Sequence, residues 1–322
     1  MSDVNSTTLG WIGAGRMGSV LAERLLRSGH DVAIYNRTRS KTVPLVDLGA
    51  TAVDAPSDLA DRDIVFTMIG GDADLLAVTD GTAGLLTGPR GPGLLIDCST
   101  VSSDASEQVR RRAEEIGTPM LAAPVSGNPK VAVAGMLSLV VSGPKEPFDA
   151  ARPYLDVLGR SVTYVGDGDV ARLVKIAHNL LLGVVTQCLA EITVLAERGG
   201  VARSDLLAFI NDSVMGSTFT RYKTPAFVNL DFHPTFTGHL LRKDLELGLE
   251  AGRDLHVPLP VTAVVHEIVT DLVSDGHGDE DFAVLLLVEA ARAGLELEPE
   301  RVEVDDGLHP VDDLARAARE DA

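Results

Sequence analysis

The stretch GWIGAGRMG at residues 10–18 constrains this chain more than any other. It sets Gly13, Gly15 and Gly18 in Gly-x-Gly-x-x-Gly spacing. The apolar run TLGWIG leads into the glycines, and residues 16 to 28 follow as an amphipathic helix ended by Gly29. A strand that passes into a helix through such glycines opens a βαβ unit. Gly13 permits the tight turn, Gly15 lets a ligand approach the backbone, and Gly18 lets helix and strand pack closely. The helix N-terminus offers free N–H groups and a partial positive charge, which suit a pyrophosphate. The motif reads as a dinucleotide-binding turn that includes Arg16 and Met17, with Met68 joining it from the end of the third apolar run.

The runs that follow keep the βαβ rhythm. DVAIYN, DIVFTMI, GLLIDCS, PMLAAP, LSLVVSG and SVTYVG are each short and bounded by turn residues, with helix-like segments between several of them. This alternation predicts an α/β Rossmann-type domain, a doubly wound parallel sheet, over residues 8–166. After Gly168 the period changes. Ala171 to about Arg198 is one long helical run, apolar on most faces, and residues 203–213, 240–254, 260–274 and 279–293 read as further helices. The second domain, 167–295, is therefore expected to be all-α, joined to the first by the long helix and serving substrate binding and oligomerisation. Residues 296–322 hold ten acidic and three basic residues and read as an exposed, partly disordered acidic tail.

The end of the second strand bears on which dinucleotide binds. A carboxylate there would accept hydrogen bonds from the ribose 2′-OH of NAD. The chain has Asn36, Arg37 and Thr38, followed by Arg39 and Lys41, and no acid in that turn. A guanidinium matches a phosphate with parallel hydrogen bonds, so NADP(H) is expected over NAD(H).

The formal charge of −19 and pI near 4.7 make a surface that repels phosphate backbones, so nucleic-acid binding is not expected. The N-terminus lacks the pattern of a signal peptide, and every apolar stretch near 20 residues carries polar interruptions. A cytoplasmic protein is expected, with no membrane span. Cys98 and Cys188 lie far apart in apolar segments and read as two buried reduced thiols, with no metal site.

One feature of the long helix resists a packing explanation. Within ARLVKIAHNLLLGVVTQCLAEI stand Lys175, His178 and Asn179. Burying an unpaired ammonium costs several kcal/mol or strips its proton. Lys175 and Asn179 are i and i+4, so they share a face, and Thr186 continues the stripe. A narrow polar stripe on an apolar helix suits one that lines a cleft, where a desolvated lysine can move protons at neutral pH. APVSGNP, after a short strand, offers the Ser126 hydroxyl and the Gly127 N–H to a carboxylate.

Taken together the motifs resemble those of the β-hydroxyacid dehydrogenase family, which includes 3-hydroxyisobutyrate dehydrogenase and the glyoxylate/succinic semialdehyde reductases. The likeness covers about residues 8 to 294 and rests on GWIGAGRMG, DCSTV at 97–101, APVSGNPKVAVAG at 123–135, GDGDVARLVKIAHN at 166–179 and HLLRKDLELG at 239–248. It implies that Lys175 is the catalytic general acid and base, that Ser126, Gly127 and Asn179 hold a small carboxylate-bearing substrate, and that Thr100 and Lys243 contact the cofactor near its nicotinamide half. Phe236 and Asp244 fall where the semialdehyde reductases place supporting residues. The resemblance also implies a homodimer or homotetramer.

The chain departs from the family pattern in two places. The family loop S-G-G-x-x-G-A-x-x-G-T-L is here SGNPKVAVAGML, so Asn128, Val131 and Met136 replace two glycines and a threonine. Asn tolerates positive φ, and Pro129 stiffens the loop. Lys130 is expected to point to solvent. His178 makes the lysine motif similar to that of 6-phosphogluconate dehydrogenase, but Leu182 stands where that enzyme has its second acid, so 6-phosphogluconate is not expected as substrate. The expected function is an NADP-dependent oxidoreductase interconverting a small β-hydroxyacid (or 4-hydroxyacid) and its aldehyde or keto form. An imine reductase-like enzyme with a remodelled pocket, or a non-catalytic NADP-binding protein, are the alternatives.

Overall fold

A computed structural model describes residues 7–308 of the chain, which divide into two compact units with the boundary after Lys175. Residues 309–322 of the acidic tail lie outside the described residues.

The first unit is built on six parallel strands in the order β3-β2-β1-β4-β5-β6. They are β1 (Thr8–Ile12), β2 (Asp31–Tyr35), β3 (Thr51–Ala52), β4 (Ile64–Thr67), β5 (Leu94–Asp97) and β6 (Met120–Ala122). Every residue of β4 and β5 is buried, as in a sheet covered on both faces. Helices α1 (Arg16–Arg27), α2 (Val43–Asp47), α3 (Asp72–Asp80) and α4 (Ser103–Glu115) connect the strands. The strand order reverses between β1 and β4, so their C-terminal ends flank the crevice where such sheets take ligands.

The expectation of one parallel sheet holds only through β6. The chain then makes a separate three-stranded sheet, β7 (Val125–Ser126), β8 (Ser138–Val141) and β9 (Ser161–Tyr164), with β7 antiparallel to β8. A single antiparallel bridge, Ala122 to Ser142, links the two sheets. Helix α5 (Pro129–Val133) sits in the short β7–β8 connection, which has no room for a right-handed crossover, and α6 (Lys145–Leu158) connects β8 to the parallel β9.

The second unit is helical, as the change of period predicts. The long helix α7 (Val170–Arg198) enters it, followed by α8 (Arg203–Asp212), α9 (Thr218–Asn229), α10 (Gly238–Asp254), α11 (Pro260–Leu272) and α12 (Leu285–Arg292). Its core includes Leu189, Val194, Leu207, Phe227, Leu241, Leu245, Val269 and Phe282. Helix α9 is additional to the expected helices. Thr220, Thr224 and Pro225 lower its intrinsic propensity, yet Ser217 and Thr220 form a capping box and Phe227 and Val228 are buried. Helix α7 is long and apolar enough to cross a membrane by length and composition. Its Asn179, Thr186, Gln187 and Thr193 side chains are nonetheless buried, as in the core helix of a folded domain.

Two expectations are corrected in this unit. Cys188 is exposed, whereas Cys98 is buried. Residues 296–308, read from their acidity as exposed tail, run back over the helices. Leu297 and Val304 pack against the core, Glu300 N–H donates to the Val228 carbonyl, and the Glu300 carboxylate accepts from the Arg203 N–H at 2.6 Å. The fully buried Arg203 guanidinium donates to the Phe227 and Val228 carbonyls at the end of α9 and to the Glu298 carbonyl of this arm. Composition alone missed these contacts because the acids alternate with a few apolar residues that anchor the arm.

Candidate active site

The glycine turn performs three separate steric jobs. Gly13 has φ +106°, and a Cβ on it would lie 2.2 Å from the Met68 carbonyl oxygen. A Cβ on Gly18 would lie 2.1 Å from the Gly13 carbonyl oxygen. A Cβ on Gly15 would meet nothing within 4 Å. Gly13 and Gly18 are therefore required by the fold itself, while Gly15 leaves open space beside the backbone. The N-terminus of α1 has no side-chain cap and no acid in its first turn. The N–H groups of its first turn and the bare face at Gly15 fit a dinucleotide pyrophosphate.

Asn36 is placed under this turn. Its Oδ1 accepts from Ala14 N–H at 2.8 Å, and its Nδ2 donates to the Thr38 carbonyl at 2.8 Å, so it braces the glycine loop against the turn after β2. Arg37 and Thr38 are exposed, as are Arg16 and Gly15, and Met17 and Met68 are half-buried. The fold brings carboxylates to the basic turn that its own sequence lacks. Arg37 Nη1 meets Asp74 Oδ1 of α3 at 2.8 Å, and Arg39 pairs with Asp54. Both arginines remain well exposed, so these pairs are screened and exchangeable.

Beyond β5 the chain makes the loop that carries Thr100. Asp97, fully buried, accepts from Thr67 Oγ1 at 2.5 Å and from Ser99 N–H at 3.2 Å. Opposite it stands Arg172, which the sequence reading passed over. Arg172 Nη2 meets Asp97 Oδ2 at 2.7 Å, its Nη1 donates to the Ser99 carbonyl at 3.1 Å, and its Nε to Asp169 Oδ1 at 3.0 Å. Burial alone would lower the guanidinium pKa, but Asp97 and Asp169 outweigh it and raise it. The neighbouring Cys98 thiol is pushed up by burial first and by Asp97 second, which leaves it unreactive.

The loop expected to hold substrate begins at β7. Ser126 is half-buried and Gly127 exposed, with Gly127 at φ +132°. A Cβ on Gly127 would strike Leu137 at 2.5 Å, so the glycine is required there. Asn128 does not use the positive φ open to it. It lies at φ −119° and caps α5, its Oδ1 accepting from Val131 N–H at 3.0 Å, with Pro129 opening the helix. Asn128 and Pro129 make this part of the loop a capped helical turn. Lys130 is exposed.

In the second unit, α7 and α10 approach closely because both carry glycine at the crossing. A Cβ on Gly248 would lie 2.3 Å from Leu180, and one on Gly183 would lie 3.2 Å from Leu241 and Leu245. This contact sets Asn179 against Asp244. Asn179 Nδ2 donates to Asp244 Oδ2 at 2.5 Å, and Lys243 Nζ lies 3.1 Å from Asp244 Oδ1. His178 is exposed on the next turn face, with its Nδ1 3.0 Å from Asn179 Oδ1. Phe236, half-buried, packs edge-on against Phe282 at 5.7 Å between centroids. Its loop is fixed by Asp281, which accepts from Thr235 N–H and Oγ1 and pairs with the buried Lys223.

The fold thus gathers Gly13, Gly15, Gly18, Asn36, Arg37, Thr38 and Met68 at the C-terminal ends of β1, β2 and β4. In the second unit it joins Asn179, Lys243 and Asp244 directly. Lys175 is buried, one helical turn before Asn179 on α7. Sequence reasoning passed over Asp97, Arg172 and Asp281. An acid at the end of a buried strand was the available signal for the first of these.

Comparison with known proteins follows the same division. Residues 8–166 match the NAD binding domain of 6-phosphogluconate dehydrogenase, and 167–288 match the NAD-binding domain of NADP-dependent 3-hydroxyisobutyrate dehydrogenase. The 2-(hydroxymethyl)glutarate dehydrogenase of Eubacterium barkeri is 33% identical, over 88% of this chain and 95% of its own. The chain belongs to the β-hydroxyacid dehydrogenase family. A chloroplastic glyoxylate/succinic semialdehyde reductase of Arabidopsis thaliana is 29% identical over 90% of this chain and 82% of its own. The crystal structure of a 3-hydroxyisobutyrate dehydrogenase from Salmonella typhimurium superposes with a TM-score of 0.78 at 25% identity, covering 88% of this chain and 99% of that one. As a member of this family the protein is a nicotinamide-dependent oxidoreductase of the hydroxyacid dehydrogenase type.

Proposed function

We propose that this protein is an NADP-dependent dehydrogenase or reductase that interconverts a small β-hydroxyacid (or 4-hydroxyacid) and its aldehyde or keto form, with Lys175 as general acid and base. The observation that carries the reading is the polar stripe of α7. A lysine and an asparagine, both buried, stand one turn apart on a largely apolar helix, and the asparagine is fixed by a buried carboxylate. Leucine at either position would avoid the cost of burying a polar group, which supports a role in chemistry.

The nicotinamide, when bound, would supply the hydride in reduction and accept it in oxidation. Lys175 Nζ gives a proton to the carbonyl oxygen in reduction and takes the hydroxyl proton in oxidation. The Ser126 hydroxyl and the Gly127 N–H bind the substrate's acid group, and the Asn179 amide, held by Asp244, orients the substrate. Thr100 and Lys243 contact the cofactor, and Phe236 gives the site an apolar wall. Arg37 is the reason to favour NADP, since its guanidinium is free to exchange Asp74 for a 2′-phosphate.

Replacing Lys175 by Ala tests the reading. A positioned acid/base contributes roughly 10²–10⁴-fold, so kcat should fall by that factor while NADPH binding persists. Near-normal kcat in that variant overturns it. The capped α5 turn favours one second reading, an imine reductase-like enzyme with a remodelled pocket. Turnover of cyclic imines in preference to glyoxylate, succinic semialdehyde and 3-hydroxyisobutyrate would establish that instead. Hydride transfer to any of them excludes a non-catalytic NADP-binding protein.

A second copy of the chain is the proposed partner. Leu181, Ile192 and Leu195 form an exposed apolar stripe on α7, which suits a homodimer or homotetramer. Light scattering that returns the monomer mass at micromolar concentration overturns this.

A further inference from the structure

The buried guanidinium of Arg172 takes part in none of the steps above, yet it is among the most heavily committed side chains of the first unit. It is 2% exposed and reaches three acceptors on two segments, Asp97 and Ser99 at the end of β5 and Asp169 before α7. Asp169 is itself held from α4, by Ser106 Oγ at 3.0 Å and Arg110 Nη2 at 3.1 Å. The same first turn of α7 is tied to the residue that follows β8, where Ser142 Oγ accepts from Ala171 N–H at 3.0 Å and donates to the Gly168 carbonyl at 3.0 Å. Two neighbours give this anchorage its meaning. Thr100 follows directly on Ser99, whose carbonyl Arg172 holds, and Lys175 lies three residues beyond Arg172, a rise of about 4.5 Å along the helix.

We propose that Arg172 is a positioning residue for the reaction, clamping the first turn of α7, and with it Lys175, to the Asp97–Thr100 loop. The inference rests on the assignment of Lys175 as general acid and base. An ion pair kept only for stability is poorly explained here, because apolar side chains of the same volume stabilise as well or better at buried sites. A guanidinium does what an apolar group cannot. It fixes two backbone segments in register through a planar fork of donors. A helix start so held keeps the lysine within the narrow range of positions that proton transfer tolerates.

The test uses the full chain, with Arg172→Lys compared against wild type and Lys175→Ala. Lysine keeps the charge but cannot span Asp97, Ser99 and Asp169 together. Folded fraction, NADPH affinity, kcat, KM and the solvent deuterium isotope effect on kcat are measured with the best substrate from the panel. The expected result is a folded protein with NADPH affinity and KM within about threefold of wild type. Its kcat falls roughly 10- to 100-fold, the loss typical of a displaced catalytic group, and its solvent isotope effect is larger because proton transfer has become slower. Wild-type kcat and isotope effect per folded molecule overturn the proposal, as does a loss that only follows the folded fraction. Should Arg172→Lys fail to fold, Asp97→Asn reads the same quantities with the same expected direction, and an unaltered kcat and isotope effect there overturn it equally. Wild-type turnover in Lys175→Ala overturns the parent reading and this inference with it. A silent Arg172→Lys beside an inactive Lys175→Ala overturns this inference alone.

Discussion

Asn179 donates its amide to Asp244 across 2.5 Å, and both side chains are only 2% exposed. The carboxylate therefore fixes which way the amide faces, and it is itself steadied by Lys243. A hydrogen bond to a buried charged group contributes about 1.5–3 kcal/mol. Asp244→Asn keeps the shape and removes the charge. It should raise KM for the acid substrate by roughly tenfold or more, with kcat affected less, in steady-state assays at saturating NADPH. An unchanged KM would show that Asn179 does not meet substrate.

The basic turn makes its own prediction. Arg37→Asp should weaken NADPH binding by roughly 10- to 100-fold, the loss expected for a charge-assisted phosphate contact, and leave NADH binding nearly unaltered. Fluorescence titration with both cofactors checks it. Equal binding of the two cofactors by wild type would contradict the proposed preference.

Two glycines of the turn should separate by experiment. Gly18→Ala sets a methyl group against a backbone oxygen and should lower the melting temperature of the protein even without cofactor. Gly15→Ala meets open space, so the free protein should melt as wild type does while its affinity for the dinucleotide falls about tenfold or more. Thermal melts with and without NADPH distinguish the two.

Asp281 links stability to pH. Burial works to raise its pKa, but the Lys223 ammonium and the hydrogen bonds from Thr235 and Ala283 outweigh burial and hold it below the usual carboxylate range. A carboxyl depressed in the folded state stabilises above its unfolded pKa and loses that contribution as pH falls through the folded value. The urea midpoint should therefore hold near neutrality and drop below about pH 4. Asp281→Asn leaves Lys223 buried without its counter-charge and should cost about 3–5 kcal/mol at pH 7. Its deficit relative to wild type should shrink as the pH is lowered.

Much of the fold is written in period and punctuation. The shift from short apolar runs separated by helix-like segments to continuous helical spacing after Gly168 marks the change from sheet to helices, and Gly13, Gly15 and Gly18 locate the turn at the head of α1. Local pattern could not place what depends on distant partners. The antiparallel pairing of β7 is set by a short connection rather than by composition. Asp97 and Arg172 are 75 residues apart in sequence, and no spacing rule joins them. The acidic arm escapes local pattern for a related reason. Charge density argued for solvent, whereas Arg203 and a few apolar anchors decided where it lies.

That docked arm bears on the order in which the chain can fold during synthesis. The first unit has all of its described strands once Tyr164 has been made. The helical unit is not closed until Glu298 and Glu300 reach Arg203 and Val304 reaches the core. At about 5–20 residues per second, those contacts come on the order of ten seconds later. For that interval the nascent helices lack the stretch of chain that packs on one side of their core, and the Val228 carbonyl at the end of α9 lacks the Glu300 N–H. A ribosome stall or a nonsense codon in this short stretch would release a protein with a finished dinucleotide domain and an unsealed helical one, a natural client for chaperones.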